Sequence, residues 1–281
     1  MIAHPFDYLT PKSLPEALLL LADPDAKALA GGMSLIPMMK LRLAAPAKLV
    51  DLRGVPGLTS ISEESGRLKI GALATHFDIE SSRLVRAKCP LLAMAAAHIG
   101  DVQVRNMGTI GGSIAHADPA ADYPAALQAL EATISIAGVG GTRAVSAAEF
   151  FVDTFTTAVG PGELVVEVSV PVEAAGTGTS YQKCLQPASG FAIVGVAARL
   201  QAVSGNISMA RIGVTGLSGC SFRANGVEAL LESGSDPQAA AAAIANGIDA
   251  NSDIHASAEY RLHLARVYAA KAIRAALAAA R

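Results

Sequence analysis

The sequence has no tryptophan, and aromatic residues make up only 4% of it. Its apolar fraction of 52% is therefore mostly aliphatic, so packing relies on Ala, Val, Leu and Ile side chains and on close approach of backbones. Three cysteines, Cys89, Cys184 and Cys220, form no C-x-x-C pair. This pattern excludes a disulfide framework and a zinc knuckle, and no iron–sulfur cluster motif is present.

The sequence also lacks an excess of either charge and any long apolar run. Lys and Arg number 22 and Asp and Glu 24, for a net charge of −2. The basic footprint of a nucleic-acid-binding protein is therefore missing, and a weakly self-repelling surface suits association with other proteins. The early apolar run at 17–22 is too short for a signal peptide, and no stretch approaches the ~20 apolar residues that span a bilayer. We expect a cytoplasmic protein with no nucleic-acid partner and no transmembrane segment.

The 281 residues suffice for one large or two ordinary domains. A Pro- and Gly-containing break at 171–178 is the best candidate linker. Before it, a strand–helix–strand unit predicts parallel strands, and hairpins and further helices follow. After it, three strands precede three helices, which predicts an α+β fold rather than a doubly wound sheet. The predicted helices are 13–22, 35–43, 76–99 with a break at Pro90, 224–233, 237–247 and 257–280. The predicted strands are 26–30, 48–52, 58–62, 67–71, 132–137, 142–145, 163–170, 179–184, 191–203 and 208–217.

The first candidate binding motif is a glycine-rich turn between a predicted strand and a predicted helix. It runs Ala30, Gly31, Gly32, Met33, Ser34, Leu35. Consecutive glycines let a backbone approach a ligand closely, and free N–H groups before a helix favour an anion. Ser34 offers a hydroxyl donor. The alternative is an ordinary tight turn in which Ser34 caps the helix.

The second motif has similar parts in Thr109, Ile110, Gly111, Gly112 and Ser113. A helix start is predicted at Asp118, with Asp118 as N-cap and Pro119 in the first turn. Asp122 lies one turn later, where a carboxylate could accept hydrogen bonds from sugar hydroxyls. The alternative for Asp122 is an acidic residue of a helix first turn, stabilised by the helix dipole.

Two such turns in one chain suit a pyrophosphate group held from two sides. Neither turn is G-x-G-x-x-G, and no G-x-x-x-x-G-K-[ST] is present, so the dinucleotide-binding Rossmann and P-loop patterns are excluded.

Four motifs in this order resemble the FAD-binding medium subunits of molybdenum hydroxylases, such as aerobic carbon monoxide dehydrogenase and nicotine-type dehydrogenases of the xanthine dehydrogenase family. They are A-G-G-x-S-L-I-P-x-M-K at 30–40, L-V-D-L-R at 49–53, T-I-G-G at 109–112 and A-D-P-A-A-D-x-P-A at 117–125. The likeness extends to Y-Q-K at 181–183, G-F-A at 190–192 and E-Y-R at 259–261. The resemblance implies a vanillyl-alcohol-oxidase-like FAD-binding domain at 1–174, with subdomains at about 1–55 and 56–174. A C-terminal α+β domain at 179–281, with a three-stranded sheet plus helices, would follow it.

The same resemblance implies FAD as the cofactor and a set of residues that contact it. Electrons would arrive from [2Fe–2S] clusters of a small subunit, having originated at a molybdopterin site in a large subunit, and would leave to an external acceptor. The assembly would be a dimer of heterotrimers. The implied FAD contacts are Ala30, Gly31, Gly32, Met33, Ser34, Leu35, Thr109, Gly111, Gly112, Ser113, Ala117, Ala121, Asp122, Val165, Lys183 and Phe191.

The sequence departs from the family pattern at three of these positions. Relatives often have His where Met33 stands, Asn at Ser113 and Tyr at Phe191, so hydrogen-bonding groups are lost or shortened. Two alternative functions therefore stay open: a standalone FAD-dependent oxidoreductase of related fold, and a scaffold subunit that has lost FAD.

Overall fold

The computed structural model describes residues 2–203 and 206–280. Its strands form three larger sheets and one two-stranded hairpin. The first two sheets lie before residue 172 and the third follows residue 176. This order places the candidate linker between the second and third sheets.

The first sheet is a parallel three-stranded unit. Its elements are β1 (Asp7–Leu9), α1 (Leu14–Leu21), β2 (Ala26–Leu29), α2 (Leu35–Lys40) and β3 (Lys48–Asp51). The strands lie in the order β1–β3–β2, so the predicted parallel pair is confirmed and the short strand β1 is an addition. Because Leu29 is in register with Asp51, the loop that follows β2 begins at the carboxyl edge of this sheet.

The second sheet is antiparallel, and most of the helices before residue 150 pack around it. Its strands are β4 (Ile61–Glu64), β5 (Arg67–Gly71), β6 (Thr133–Gly138), β7 (Gly141–Ser146) and β10 (Leu164–Pro171), in the order β4–β5–β10–β6–β7. The helices are α3 (His76–Ser81), α4 (Arg83–Lys88), α5 (Pro90–Ala97), α6 (Val102–Met107), α7 (Ile110–His116), α8 (Asp122–Ala129) and α9 (Ala147–Phe150). A small hairpin joins β8 (Phe151–Asp153) to β9 (Thr156–Thr157).

The helix start predicted at Asp118 is wrong. The two glycines of the second motif lie inside α7, which ends at Ala117 in a left-handed conformation with φ of 49°. The carboxylate of Asp118 accepts a hydrogen bond from Ala120 N at 2.8 Å and so closes a turn, and the next helix begins at Asp122. A local Asx turn therefore replaces the helix cap that the sequence favours.

The third sheet is a four-stranded antiparallel meander covered by helices. Its elements are β11 (Thr177–Leu185), β12 (Ala192–Val203), β13 (Asn206–Thr215), β14 (Phe222–Arg223), α10 (Asn225–Glu232), α11 (Pro237–Ala242) and α12 (Ala258–Ala279). Three strands were expected, and the fourth, β14, is only two residues long and adds to the edge of β13. A two-residue strand has no period that a sequence pattern could reveal.

Helix α8 joins the third sheet to the rest of the chain. All eight of its residues are buried. A Cβ at Gly213 of β13 would overlap the carbonyl oxygen of Ala125, so strand and helix backbones touch directly. The hydroxyl of Thr215 also donates to the carbonyl oxygens of Pro119 at 2.9 Å and Ala121 at 2.7 Å. These contacts fix the third sheet on the turn and helix that follow α7.

Over residues 2–203 and 206–280, no helix combines the length and the apolar character needed to cross a membrane.

Candidate functional site

The loop after β2 presents unused hydrogen-bond donors. Gly32 has a φ of +73°, a left-handed conformation that glycine adopts without strain. In the described part of the chain, no acceptor lies within hydrogen-bond reach of the backbone N–H groups of Gly32, Met33, Ser34 and Leu35. The Ser34 hydroxyl stands at the N-cap of α2 but makes no capping hydrogen bond. These observations favour a ligand-binding loop over the ordinary capped turn.

The second motif is constructed differently from the first. Thr109 Oγ1 accepts the N–H of Gly112 at 3.1 Å, and the N–H groups of Ile110 and Gly111 donate to the carbonyl oxygens of Ala74 and Ala72. The first-turn donors of α7 are therefore occupied, so the second motif does not offer the free N–H groups that the first motif has. The reason is that the segment after β5 runs alongside the start of α7 and accepts these donors.

The glycines of the second motif instead provide a surface without side chains. A Cβ at Gly111 would lie 2.5 Å from the Cβ of Ala72, so this glycine permits α7 to pack against the chain after β5. A Cβ at Gly112 would lie 3.5 Å from the Cβ of Ala30 and so would enter the space next to the first motif. Gly111 is buried and Gly112 is exposed. Gly112 therefore leaves open a space that any larger residue would fill.

The two motifs, about eighty positions apart in sequence, meet in the structure. A Cβ at Gly31 would overlap the carbonyl oxygen of Met107 and lie 2.8 Å from the Cα of Gly108. The segment entering α7 thus lies directly against the loop after β2. We call the combined surface of residues 30–35 and 107–113 the glycine cradle. Met107 and Gly108 were missed by sequence reasoning, although a glycine directly before the Thr109 cap is a signal of close packing.

His76 supports the glycine cradle from behind. A Cβ at Gly108 would come within 2.6 Å of His76 Nε2, and the N–H of His76 donates to the carbonyl oxygen of Gly108 at 3.0 Å. Burial, together with the positive charge of Arg105, lowers the pKa of His76 to about 4. The imidazole is therefore neutral at physiological pH, and its uncharged ring packs against Gly108.

Asp122 lies in a buried polar cluster rather than at an open surface. Its Oδ1 accepts the Tyr181 hydroxyl at 2.6 Å, and Lys183 Nζ lies 2.9 Å from its carboxylate. Burial raises the pKa of Asp122 to about 6, although Lys183 and Tyr181 both favour the charged form. Protein donors reach both carboxylate oxygens, and the contact of Asp122 with a sugar hydroxyl of a cofactor stays a prediction. No sequence signal links Asp122 to Tyr181, 59 residues away.

Lys183 completes this cluster, which we call the interface cluster: Asp122, Tyr181, Lys183 and the carbonyl of His98. Lys183 Nζ donates to the carbonyl oxygen of His98 at 2.9 Å, and its side chain is only 1% exposed. The ammonium also lies 2.9 Å from each of the two oxygens of the Asp122 carboxylate, so protein acceptors surround it. An ammonium this deeply buried needs these acceptors, because a buried charge is costly unless it is paired and hydrogen-bonded.

The remaining predicted site residues lie outside the glycine-rich backbone and the interface cluster described above. Val165 is buried in the core beneath α7, and Ala117 and Ala121 are backbone positions at the end of α7 and the start of α8. Phe191 is 43% exposed in the turn between β11 and β12, where a Cβ at Gly190 would lie 3.6 Å from Gly100. Ser113 is half-buried in α7 and Met33 is exposed in the first loop. Their contacts with a cofactor stay predictions.

The glycine cradle fits a pyrophosphate. Four free backbone N–H groups and an unengaged hydroxyl can neutralise it without Arg or Lys, and Gly112 leaves the volume it needs. The fold and the site thus define a protein that binds a nucleotide cofactor across its first two sheets.

Comparison with known proteins identifies the family. A family described as the FAD binding domain in molybdopterin dehydrogenase matches residues 4–173, and the CO dehydrogenase flavoprotein C-terminal domain matches residues 179–276. The chain therefore belongs to the FAD-binding medium subunits of the carbon monoxide dehydrogenase and molybdenum hydroxylase family. FAD is its cofactor, and the chain is an oxidoreductase component.

Individual relatives agree over their full lengths. The carbon monoxide dehydrogenase medium chain of Hydrogenophaga pseudoflava is 39% identical, with 99% of each chain covered. The 6-hydroxypseudooxynicotine dehydrogenase complex subunit alpha of Paenarthrobacter nicotinovorans is 38% identical, covering 98% of this chain and 96% of the relative. A solved structure of the Hydrogenophaga pseudoflava carbon monoxide dehydrogenase covers 100% of both chains with 41% identity and a TM-score of 0.97.

Proposed function

We propose that this chain is the electron-transfer subunit of a three-subunit molybdenum hydroxylase. It takes electrons from [2Fe–2S] clusters of a small subunit, which receive them from a molybdopterin site in a large subunit. It passes them to an external acceptor. The observation that carries the proposal is the glycine cradle, a preformed pyrophosphate site with four unused N–H donors. Two relatives, one named as a subunit of a dehydrogenase complex and one as the medium subunit of a hydroxylase, support the partners.

FAD supplies the redox chemistry when it is bound, and the chain supplies binding, orientation and electrostatics. The glycine cradle would bind the pyrophosphate and ribityl, through Ser34 and the free N–H groups on one side and the Thr109–Ser113 segment on the other. Lys183, Val165 and Phe191 are assigned to the surroundings of the isoalloxazine. Met33, among the pyrophosphate and ribityl contacts, and Phe191, beside the isoalloxazine, contribute contact area without side-chain hydrogen bonds.

The same proposal includes the organisation of the chain and of its assembly. The FAD-binding domain comprises 1–174, with subdomains at about 1–55 and 56–174, and the C-terminal domain comprises 179–281. The complex is a cytoplasmic dimer of heterotrimers. A net charge of only −2 is compatible with this, because phosphate neutralisation by backbone N–H groups needs no basic patch.

An affinity tag on this chain tests the proposal in its native host. We expect co-purification with a molybdopterin-type and a ferredoxin-type chain and stoichiometric FAD. Carbon monoxide, an N-heterocycle and an aldehyde are offered in turn under anaerobic conditions, and flavin absorbance near 450 nm is followed. We expect bleaching by one of them in the complex and none in the isolated chain.

Two results would contradict the proposal. The first is an isolated chain that oxidises substrate by itself, as a standalone oxidoreductase does. The second is an intact complex that transfers electrons to its acceptor without any flavin, as a scaffold subunit would allow. The Gly112→Val chain serves as the matched control, since it fills the glycine cradle.

A further inference from the structure

Helix α2 ends in a Schellman motif whose left-handed residue is an arginine. The N–H of Leu43 donates to the carbonyl oxygen of Met38 at 2.9 Å, and the N–H of Arg42 donates to that of Met39 at 3.1 Å. Arg42 has a φ of 60°. Glycine is the usual residue at this position, because a side chain there strains the backbone. An arginine at this position therefore calls for a reason other than ending the helix.

The leucines on either side of Arg42 lie largely in water. In a Schellman motif, an apolar residue at the position of Leu43 commonly packs back onto the helix. Here Leu43 is 72% exposed and Leu41 is 54% exposed. The turn therefore presents apolar surface that the rest of the chain leaves mostly uncovered.

The segment before β1 extends this apolar surface. Strand β1 lies parallel to β3, and Ala3 and Ala44 pack against the same small hydrophobic core. The segment 2–6 therefore lies beside the chain that follows Leu43. Ile2, next to Ala3, is 85% exposed. We call this surface the α2 patch, and its residues are Ile2, Lys40, Leu41, Arg42 and Leu43.

The charge of the α2 patch is of one sign. No acidic residue occurs between Asp25 and Asp51, and none occurs before Asp7. Among residues 2–203 and 206–280, no carboxylate lies within ion-pair distance of Lys40 or Arg42. An apolar surface that carries two such cations is complementary to an apolar surface that carries carboxylates.

This charge distinguishes between the possible occupants. A second copy of this chain would meet the α2 patch in an isologous contact, which places Lys40 and Arg42 against the same residues of the other copy. Like charges in such a contact disfavour it. A bilayer surface is bound by an extended amphipathic helix, whereas α2 has six residues. A different protein with acidic groups remains as the occupant that the patch fits.

We propose that the α2 patch is a docking surface for a different protein chain, one that presents aliphatic side chains ringed by Asp and Glu. This rests on the proposed function in one respect, since the partner is taken to be a subunit of the same complex. Protein interfaces have an apolar centre and a polar rim, and the patch provides both. The strained conformation of Arg42 holds a cation between two exposed leucines, where a carboxylate of the partner can reach it.

Leu43→Glu in the tagged, full-length chain tests the proposal in the native host. The probes are the ferredoxin-type and molybdopterin-type chains, identified by mass spectrometry and quantified per tagged chain. We expect the amount of the docked chain to fall about tenfold or more, because an anion replaces a central apolar contact. Val139→Glu is the matched control. Val139 is 70% exposed in the turn between β6 and β7, and the amount of partner should stay within about twofold of wild type.

Arg42→Gly separates docking from folding. Glycine adopts the left-handed conformation without strain, so we expect the melting temperature to stay unchanged or to rise. Partner binding should nevertheless weaken about fivefold and become less sensitive to salt, because one charge of the rim is lost. A merely structural role of the turn predicts the opposite, a variant that is more stable and binds as wild type does.

Several outcomes overturn the proposal. A wild-type amount of partner in Leu43→Glu does so, and so does an equal loss in Leu43→Glu and Val139→Glu; both leave the three-subunit assembly itself standing. A wild-type chain that co-purifies with neither probe contradicts the docking surface and the proposed function together. If thermal unfolding shows that Leu43→Glu does not fold, Arg42→Gly decides, and wild-type partner binding in that variant overturns the proposal.

Two further measurements test the other occupants. The first is binding of the wild-type chain to phosphatidylglycerol vesicles, and the second is its self-association in sedimentation. We expect Leu43→Glu to change neither of them. If it abolishes vesicle binding or self-association while the amount of partner stays as in wild type, the α2 patch serves a membrane or a second copy, and the proposal is overturned.

Discussion

Gly31 faces the backbone of Met107 so closely that a methyl group at position 31 would overlap the Met107 carbonyl oxygen. This contact joins the loop after β2 to the entry of α7. Since neither segment can move without the other, the two halves of the glycine cradle form one unit before any cofactor arrives. Such preorganisation lowers the cost of ordering on binding.

Gly31→Ala is expected to separate these segments. Because the obstacle is backbone and not a flexible side chain, the overpacking should cost about 2 kcal/mol in the free energy of unfolding and weaken FAD binding. Chemical denaturation and flavin content measure both effects. Gly140→Ala is the control, since a Cβ there meets nothing within 4 Å. Equal behaviour of the two variants would contradict the close approach.

Gly112→Val is expected to fold and to lose FAD. A Cβ at this position lies 3.0 Å from Thr109 Oγ1 and 3.5 Å from the Ala30 Cβ, so the fold needs only a small adjustment while the branched side chain fills the glycine cradle. Gly111→Val should instead disrupt folding, because its Cβ lies 2.5 Å from Ala72. Thermal unfolding and flavin titration separate the two. Wild-type FAD affinity in Gly112→Val would show that the cofactor lies elsewhere.

Ser34→Ala is expected to weaken FAD binding about fivefold and leave stability unchanged, since the hydroxyl caps no helix and is free for a phosphate oxygen. Ser13→Ala should behave in the opposite way. Ser13 caps α1 by accepting the N–H of Glu16, so its loss should cost about 1 kcal/mol without affecting FAD. Isothermal titration and urea denaturation provide the comparison. A stability loss in Ser34→Ala would favour the ordinary capped turn.

His76 predicts a loss of stability at mildly acidic pH. Its pKa is about 6.5 when unfolded and about 4 when folded, because burial and Arg105 disfavour the charged form. The unfolded state therefore binds the proton first, and stability that is present above pH 6.5 is lost as the pH falls towards 4. The contribution is at most about 3 kcal/mol. His76→Gln should flatten the pH dependence of unfolding between pH 6.5 and 4. His263→Gln, which removes an exposed imidazole, should retain it.

Local patterns predicted most of the elements. The capping box at Ser13 and the strand–helix–strand unit after it correspond to α1, β2, α2 and β3, and the predicted break at Pro90 is the start of α5. Strand β1 was missed because three residues carry no readable alternation. Asp118 was misplaced because an Asx turn and a helix cap use the same residue types.

The glycine motifs identified the site. Only the structure shows that the first motif supplies the free N–H groups and the second supplies a surface without side chains. Sequence cannot show that Ala72 and Ala74 accept the first N–H groups of α7, or that the first loop keeps its own donors free. The interface cluster forms because side chains of β11 reach Asp122 at the start of α8, and the local helix pattern around Asp122 carries no signal of this contact.

The break at 171–178 separates two segments in sequence, but the complete burial of α8 makes the stability of each segment depend on the other. Separating the segments on either side of this break would expose to water the buried face of α8 that covers the third sheet, and would remove the hydrogen-bond donors of Asp122 on Tyr181 and Lys183. A chimaera that takes the segment after this break from a distant relative would therefore have to supply hydrogen-bond donors for Asp122 at positions 181 and 183.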